Sequence, residues 1–91
     1  MKIKINFFAY FRELFIGRER EFDLRDGATV QELLAILCDS PELRSEIFEN
    51  NKLKPYLIIV KNGVSIYSLE HLSTGLEDGD IISVFPLMGG G

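Results

Sequence analysis

Cysteine and histidine are nearly absent: one of each, Cys38 and His71, in 91 residues. A lone cysteine cannot close an internal disulfide, and one Cys with one His is too few for a structural zinc site. Packing alone must therefore hold the fold. A long apolar run is also missing, and the opening MKIKINFFAY alternates polar with apolar residues and has no small-residue cleavage site. This excludes a transmembrane helix and a signal peptide, and with the unpaired cysteine it fits a reducing cytoplasm. Positive charge is scarce too. Ten basic against fourteen acidic side chains leave a net charge of −4. Residues 1–25 carry six basic and four acidic groups, residues 26–50 one and six, and residues 51–91 three and four. No stretch forms a basic stripe, so a nucleic-acid partner would have to bind against the net field and is not expected. Nor is there a Ser-His-Asp set, a Cys-His pair in a workable frame, or a phosphate-cradling glycine loop before a helix.

What is present is an ordinary globular composition, 46% hydrophobic and 26% charged, in a length that suits one domain. Residues 2–8 alternate, with Ile3, Ile5 and Phe7 on one face and Lys2, Lys4, Asn6 and Phe8 on the other, which predicts a half-buried strand. Residues 9–17 suit a helical turn or broad loop ending at Gly17. Residues 18–24 place Phe22 and Leu24 on one side of a charged strand, completing a hairpin. Thr29-Val30-Gln31-Glu32 is a capping box after the turn Asp26-Gly27. Behind it Val30, Leu33, Leu34 and Leu37 follow helical spacing, so an amphipathic helix runs to about Asp39. Ser40-Pro41 opens a shorter helical piece carrying Leu43, Ile47 and Phe48, which Asn50-Asn51 stop. Tyr56–Val60 is a continuous apolar strand. Asn62-Gly63 turns it into a short partner at Val64–Tyr67. After the turn Asp78-Gly79-Asp80, Ile81–Phe85 is the last strand and stops at Pro86. Asp78 and Asp80 read as turn residues, His71 as a loop residue and Cys38 as a buried small apolar one.

This order predicts an α+β domain over residues 1–86: a mixed sheet of four to five strands packed on one main helix, with first and last strands parallel at its centre. The sheet face away from the helix is not uniformly polar. With Ile3, Ile5, Phe7, Ile82 and Val84 inward, Phe8 and Phe85 point outward. If Lys61 is outward, Ile59 and Leu57 join them in one apolar patch; a one-residue slip would instead return these residues to the core.

Three of the eight glycines close the sequence, Gly89, Gly90 and Gly91. They read as a flexible tail over residues 87–91. With no other reactive constellation in the chain, the Gly91 carboxylate is the candidate reactive group. Five residues beyond Pro86 reach at most about 17 Å, and lacking Cβ atoms the glycines can thread a narrow slot on a partner. Immobilising three of them costs about 3 to 6 kcal/mol. Burial of the apolar patch on a partner, at about 25 cal/mol per Å², offsets that cost, so patch and tail belong together.

The stretches INFFAYFREL (5–14), DGATVQELLAIL (26–37), IIVKNG (58–63) and GLEDGDIISVFPLMGGG (75–91) resemble the β-grasp, ubiquitin-like sulfur carriers, in particular the small subunit of molybdopterin synthase. The resemblance implies that an ATP-dependent, E1-like adenylating enzyme converts the Gly91 carboxylate to an acyl adenylate. A sulfur donor protein then turns it into a thiocarboxylate, and the large synthase subunit receives it for molybdenum or tungsten cofactor synthesis. It further implies that Gly89 and Gly90 thread the partner's channel, that Phe8 and Phe85 contact partners, and that the chain holds no catalytic residue, metal or bound cofactor; with Ile59 of the patch and Pro86 beside it, these two make the expected partner interface. The family's usual Pro-Pro is Pro86-Leu87 here, and Gly89 replaces a bulkier residue. A thiamin-type carrier and a protein modifier joined to lysines through Gly91 share the same tail, and an interaction module with an inert tail shares the fold.

Overall fold

Lys2–Phe7 forms strand β1, because its period-two pattern sends Ile3, Ile5 and Phe7 to one side, where all three are buried. The computed structural model describes residues 1–86. Ala9 takes a left-handed conformation (φ 56°) and turns the chain into a four-residue helix, α1 (Phe11–Leu14). β2 (Glu19–Asp23) then returns antiparallel to β1, with Ile3 opposite Phe22 and Lys4 opposite Glu21.

Helix α2 (Val30–Leu37) buries Val30, Leu33, Leu34 and Leu37, the stripe expected from their spacing. Thr29 caps it, its hydroxyl accepting from the Glu32 N–H at 3.3 Å. The reciprocal half of the capping box does not form. Glu32 instead takes a two-pronged hydrogen bond from Arg25, whose Nε lies 3.1 Å from Oε2. A guanidinium fork satisfies both carboxylate oxygens and outcompetes one backbone N–H. The loop carrying Gly75 fixes the same helix start: Val30 N–H donates to Thr74 at 3.0 Å, and Leu76 N–H to Ala28 at 2.9 Å.

Helix α3 (Pro41–Ile47) has Ser40 as its cap and Pro41 in the first turn. It ends one residue sooner than its apolar pattern suggests, because Phe48 belongs to a small hairpin, β3 (Phe48–Glu49) with β4 (Lys52–Leu53). Asn50 and Asn51 do more than stop a helix. Both take left-handed φ angles (52° and 64°), the conformation a two-residue turn between twisted strands requires. The same geometry at Asn62 and Gly63 (48° and 87°) joins β5 (Leu57–Lys61) to β6 (Val64–Ser65).

β7 (Ile81–Pro86) runs parallel to β1 and antiparallel to β5, giving a five-stranded mixed sheet in the order β2-β1-β7-β5-β6. The parallel central pair and the helix layer on one face make an α+β β-grasp arrangement. The described strand runs one residue past Phe85 and ends at Pro86, which sits opposite Leu57. The core lies between α2 and the inner face of the sheet, built from Ile3, Ile5, Phe7, Leu33, Leu34, Leu57, Ile59, Ile82 and Val84. Cys38 lies in its margin, and burial pushes its thiol up to about 11, which makes it a poor nucleophile.

Candidate functional site

In a sheet, residues directly opposite one another project to the same side, so the register fixes what the open face presents. On β2 and β1 that face is charged. Lys2 lies opposite Asp23 and Lys4 opposite Glu21, and Lys4 also approaches Glu19 at 3.5 Å. On β7 and β5 it is largely apolar. Phe85 faces Ile58, and Ser83 faces Val60.

Phe8, just past the end of β1, completes the apolar half. Its N–H continues the ladder to the Val84 carbonyl at 3.1 Å. Its ring meets Phe85 edge to face, with centroids 5.5 Å apart, and remains 38% exposed. Phe8, Ala9, Phe85 and Pro86 line an open apolar groove of about 360 Å³. The groove therefore lies at the root of the segment that follows Pro86.

The sequence-predicted patch needs one correction. Ile59 is fully buried and Leu57 nearly so; Ile58 and Val60 hold the outward positions of β5. Lys61 misleads as a marker of solvent. Its side chain lies on the inner side, where its amine donates to the Gly75 carbonyl at 2.9 Å and pairs with Asp80 at 3.4 Å. A lysine with its head satisfied and its stem packed occupies an inward register without penalty. Phe8 and Phe85 stand on the open face, and Pro86 is buried at the groove's edge. The predicted tail residues Gly89, Gly90 and Gly91 lie outside the described residues.

The other end of β7 has different chemistry. Asp80 is almost fully buried there and accepts hydrogen bonds from the Glu77 N–H and Asn62 Nδ2, both at 2.8 Å. Asn62 in turn accepts from the Ile81 N–H at 2.8 Å. Burial alone would raise the Asp80 carboxyl. The hydrogen bonds and Lys61 outweigh it and hold the group below the ordinary carboxylate range. Asp78 closes the same corner by accepting from the Lys2 N–H at 2.7 Å. These aspartates are structural turn residues, as their flanking of Gly79 predicts.

Among the described residues no group of three or more His, Cys, Asp or Glu is placed to hold a metal ion, and no helix is long and apolar enough to cross a membrane. What the described residues offer is a surface: the groove is lined by Phe8, Ala9, Phe85 and Pro86, none of them an acid, base or nucleophile.

A family model described as the ThiS family matches residues 5–91. The chain is 35% identical over 92 residues to small archaeal modifier protein 3 of Haloferax volcanii, each chain covered completely. It is 31% identical over 96 residues to the molybdopterin synthase sulfur carrier subunit of Chlamydomonas reinhardtii, again with complete coverage of both. The solution structure of small archaeal modifier protein 1 from Methanosarcina acetivorans superposes with a TM-score of 0.85 at 33% identity, covering 99% of this chain and 96% of that one.

Proposed function

The chain belongs to the ThiS family of ubiquitin-like β-grasp carriers and modifiers, which are small proteins without catalytic machinery of their own, and from that membership we propose that it acts through activation of its Gly91 carboxylate and attachment of the acyl group to target amines. An ionised carboxylate is a poor electrophile. An E1-like enzyme overcomes this with ATP: a carboxylate oxygen attacks the α-phosphorus, an oxygen–phosphorus bond forms as pyrophosphate leaves, and the acyl carbon then carries AMP as a leaving group. A lysine amine then attacks that carbon, AMP departs, the amine loses a proton, and an isopeptide bond remains. In this reading the groove at Phe8, Ala9, Phe85 and Pro86 docks the activating enzyme, Ile58 extends the contact, and Gly89 and Gly90 pass through its channel.

The observation that carries the modifier reading is the full-length similarity to small archaeal modifier protein 3, at 35% identity against 31% for the molybdopterin synthase subunit. That second similarity supports a sulfur-carrier role from the same activated intermediate. In that branch the terminal sulfur of a donor-protein persulfide would attack the acyl carbon and AMP would leave. A second thiol of the donor system would then cleave the S–S bond of the acyl persulfide, forming a disulfide and releasing a thiocarboxylate, delivered to a large synthase subunit in molybdopterin synthesis or to a thiamin-type acceptor. At the acyl carbon one bond is made and one broken in either branch; the carrier branch differs in its nucleophile and in the thiol cleavage of the S–S bond that follows.

Intact-mass and peptide analysis of the protein purified from its own host separates them. Gly91 joined to lysines of other proteins is the expected result. A population with one oxygen replaced by sulfur would assign the carrier branch. Neither species, in the presence of the adenylating enzyme and ATP, would overturn both. Removal of Gly91 is expected to abolish either product while leaving cooperative unfolding intact.

A further inference from the structure

Arg12, on α1, stands over the ring of Phe8, one of the residues that line the apolar groove, and two interactions fix it there. Its Nε donates to the Phe7 carbonyl at 2.9 Å, and its guanidinium carbon lies 5.5 Å from the centre of the Phe8 ring. Phe8 itself rests edge-on against Phe85, so the cation, the groove wall and the end of β7 form one continuous stack. Among the described residues the ion pairs are Lys4 with Glu19, Arg25 with Glu32 and Lys61 with Asp80; Arg12 makes none. With Nε committed to Phe7, the two terminal nitrogens remain as a planar, exposed fork. Arg20 and Arg44 also lie over rings, but those rings are Phe22 on edge strand β2 and Phe48 in β3, which do not line the groove.

A guanidinium held in advance loses little freedom on pairing, and its fork matches the two oxygens of a carboxylate. We propose that Arg12 is a specificity determinant of the docking surface, receiving an Asp or Glu carboxylate of the partner protein whose neighbouring apolar side chain fills the groove. This rests on the reading of the groove as the docking site for the activating enzyme. The charge pattern selects a single acid over a polyanion: one fixed cation stands beside an apolar surface, on a chain whose net charge is −4. A partner lacking that acid would bury the fork unpaired and be rejected.

The test is ATP–pyrophosphate exchange by the adenylating enzyme of the same organism, with the full-length chain as the varied substrate. R12Q is expected to raise KM about tenfold, R12E further, and R12K by less, because an ammonium keeps the charge without the fork. The value of kcat should hold, Tm should move by no more than a few degrees, and the salt dependence of KM should weaken in R12Q. R12Q with wild-type KM and salt dependence would overturn the role of Arg12. Equal KM increases in R12Q and R12E accompanied by a large fall in Tm would also overturn it, by making the residue structural. The Gly91 carboxyl ¹³C resonance of the free chain should be the same in wild type and R12Q; a shift would assign the fork to the chain's own tail and refute a partner acid. A wild-type chain that the enzyme does not adenylate overturns the functional reading itself, whereas wild-type turnover with an unaffected R12Q overturns only the contribution of Arg12.

Discussion

The two ends of β7 are built by opposite means. At its start, Asp80, Asn62, Lys61 and the Glu77 N–H form a closed polar network in which each buried group has its partner. At its end, Phe85 and Pro86 meet Phe8 through apolar contact only, and the groove they line is open. A satisfied polar network is directional and ties three chain segments together, so it specifies the fold. An uncovered apolar surface does little for the isolated chain and gains only when a partner excludes water from it. The strand is thus anchored at one end and offered at the other, and the offered end is the one that leads into residues 87–91.

Substitutions that exchange the two faces should break this contrast most sharply. Ile59→Lys places an unpaired charge in the core and is expected to cost more than about 4 kcal/mol, leaving no cooperative unfolding transition near ambient temperature. Ile58→Lys, one residue away on the open face, should keep the fold and weaken adenylation. Thermal melts of the pair check the register directly: equal losses in both would show that β5 has no distinct outer side.

Asp80→Ala comes next. It strands the Asn62 amide and the Glu77 N–H and removes the counter-charge of Lys61, which keeps only the Gly75 carbonyl, at an expected cost of about 3 kcal/mol, or a Tm lower by on the order of 15 °C, with KM for adenylation unchanged. The same carboxylate predicts a pH dependence. Its folded-state pKa lies below its unfolded value, so its stabilisation is complete above the unfolded pKa of about 3.9 and is lost as pH falls through the lower folded value. Unfolding titrations between neutral pH and strongly acidic pH should therefore show a steeper acid limb for the wild type than for Asp80→Asn. Parallel curves would remove Asp80 as its source.

Thr29→Ala is expected to cost about 1 kcal/mol, because the single hydroxyl bond to the Glu32 N–H is the part of the capping box that forms. Phe85→Lys should have the smallest effect on stability, under about 1 kcal/mol, since its ring faces the open side and is only half-buried. Its effect on adenylation should be the larger one, and chemical denaturation run beside the exchange assay separates the two.

Most of this architecture was legible in the sequence because its signals are periodic. Ile3, Ile5 and Phe7 alternate, Val30 to Leu37 repeats at helical spacing, and Asn62-Gly63 allows few turns. These patterns led to the parallel central pair and to Phe8 and Phe85 on one face. The misreadings fall where pattern carries no phase. In Leu57–Val60 all four residues are apolar, so no alternation distinguishes in from out, and the phase was borrowed from Lys61, whose amine is satisfied by Asp80 and Gly75 on the inner side. The β3–β4 hairpin is not legible because two-residue strands have no period of their own; Asn50-Asn51, both tolerant of left-handed angles, is its one local sign. The groove depends on β1 and β7 lying side by side across more than seventy residues of sequence, and Arg12 gains its meaning only from that adjacency. Glu32 likewise followed the fork of Arg25, a competition between distant groups that the capping pattern does not encode.

The most direct test of the account is amide and methyl NMR mapping of the full-length chain titrated with the E1-like enzyme of its own organism. The account predicts that perturbations concentrate at Phe8, Ala9, Ile58, Phe85 and the residues following Pro86, and spare Asp80, Asn62 and helix α2. Perturbations centred on α2 or on the β3–β4 hairpin, with the groove residues unmoved, would contradict it.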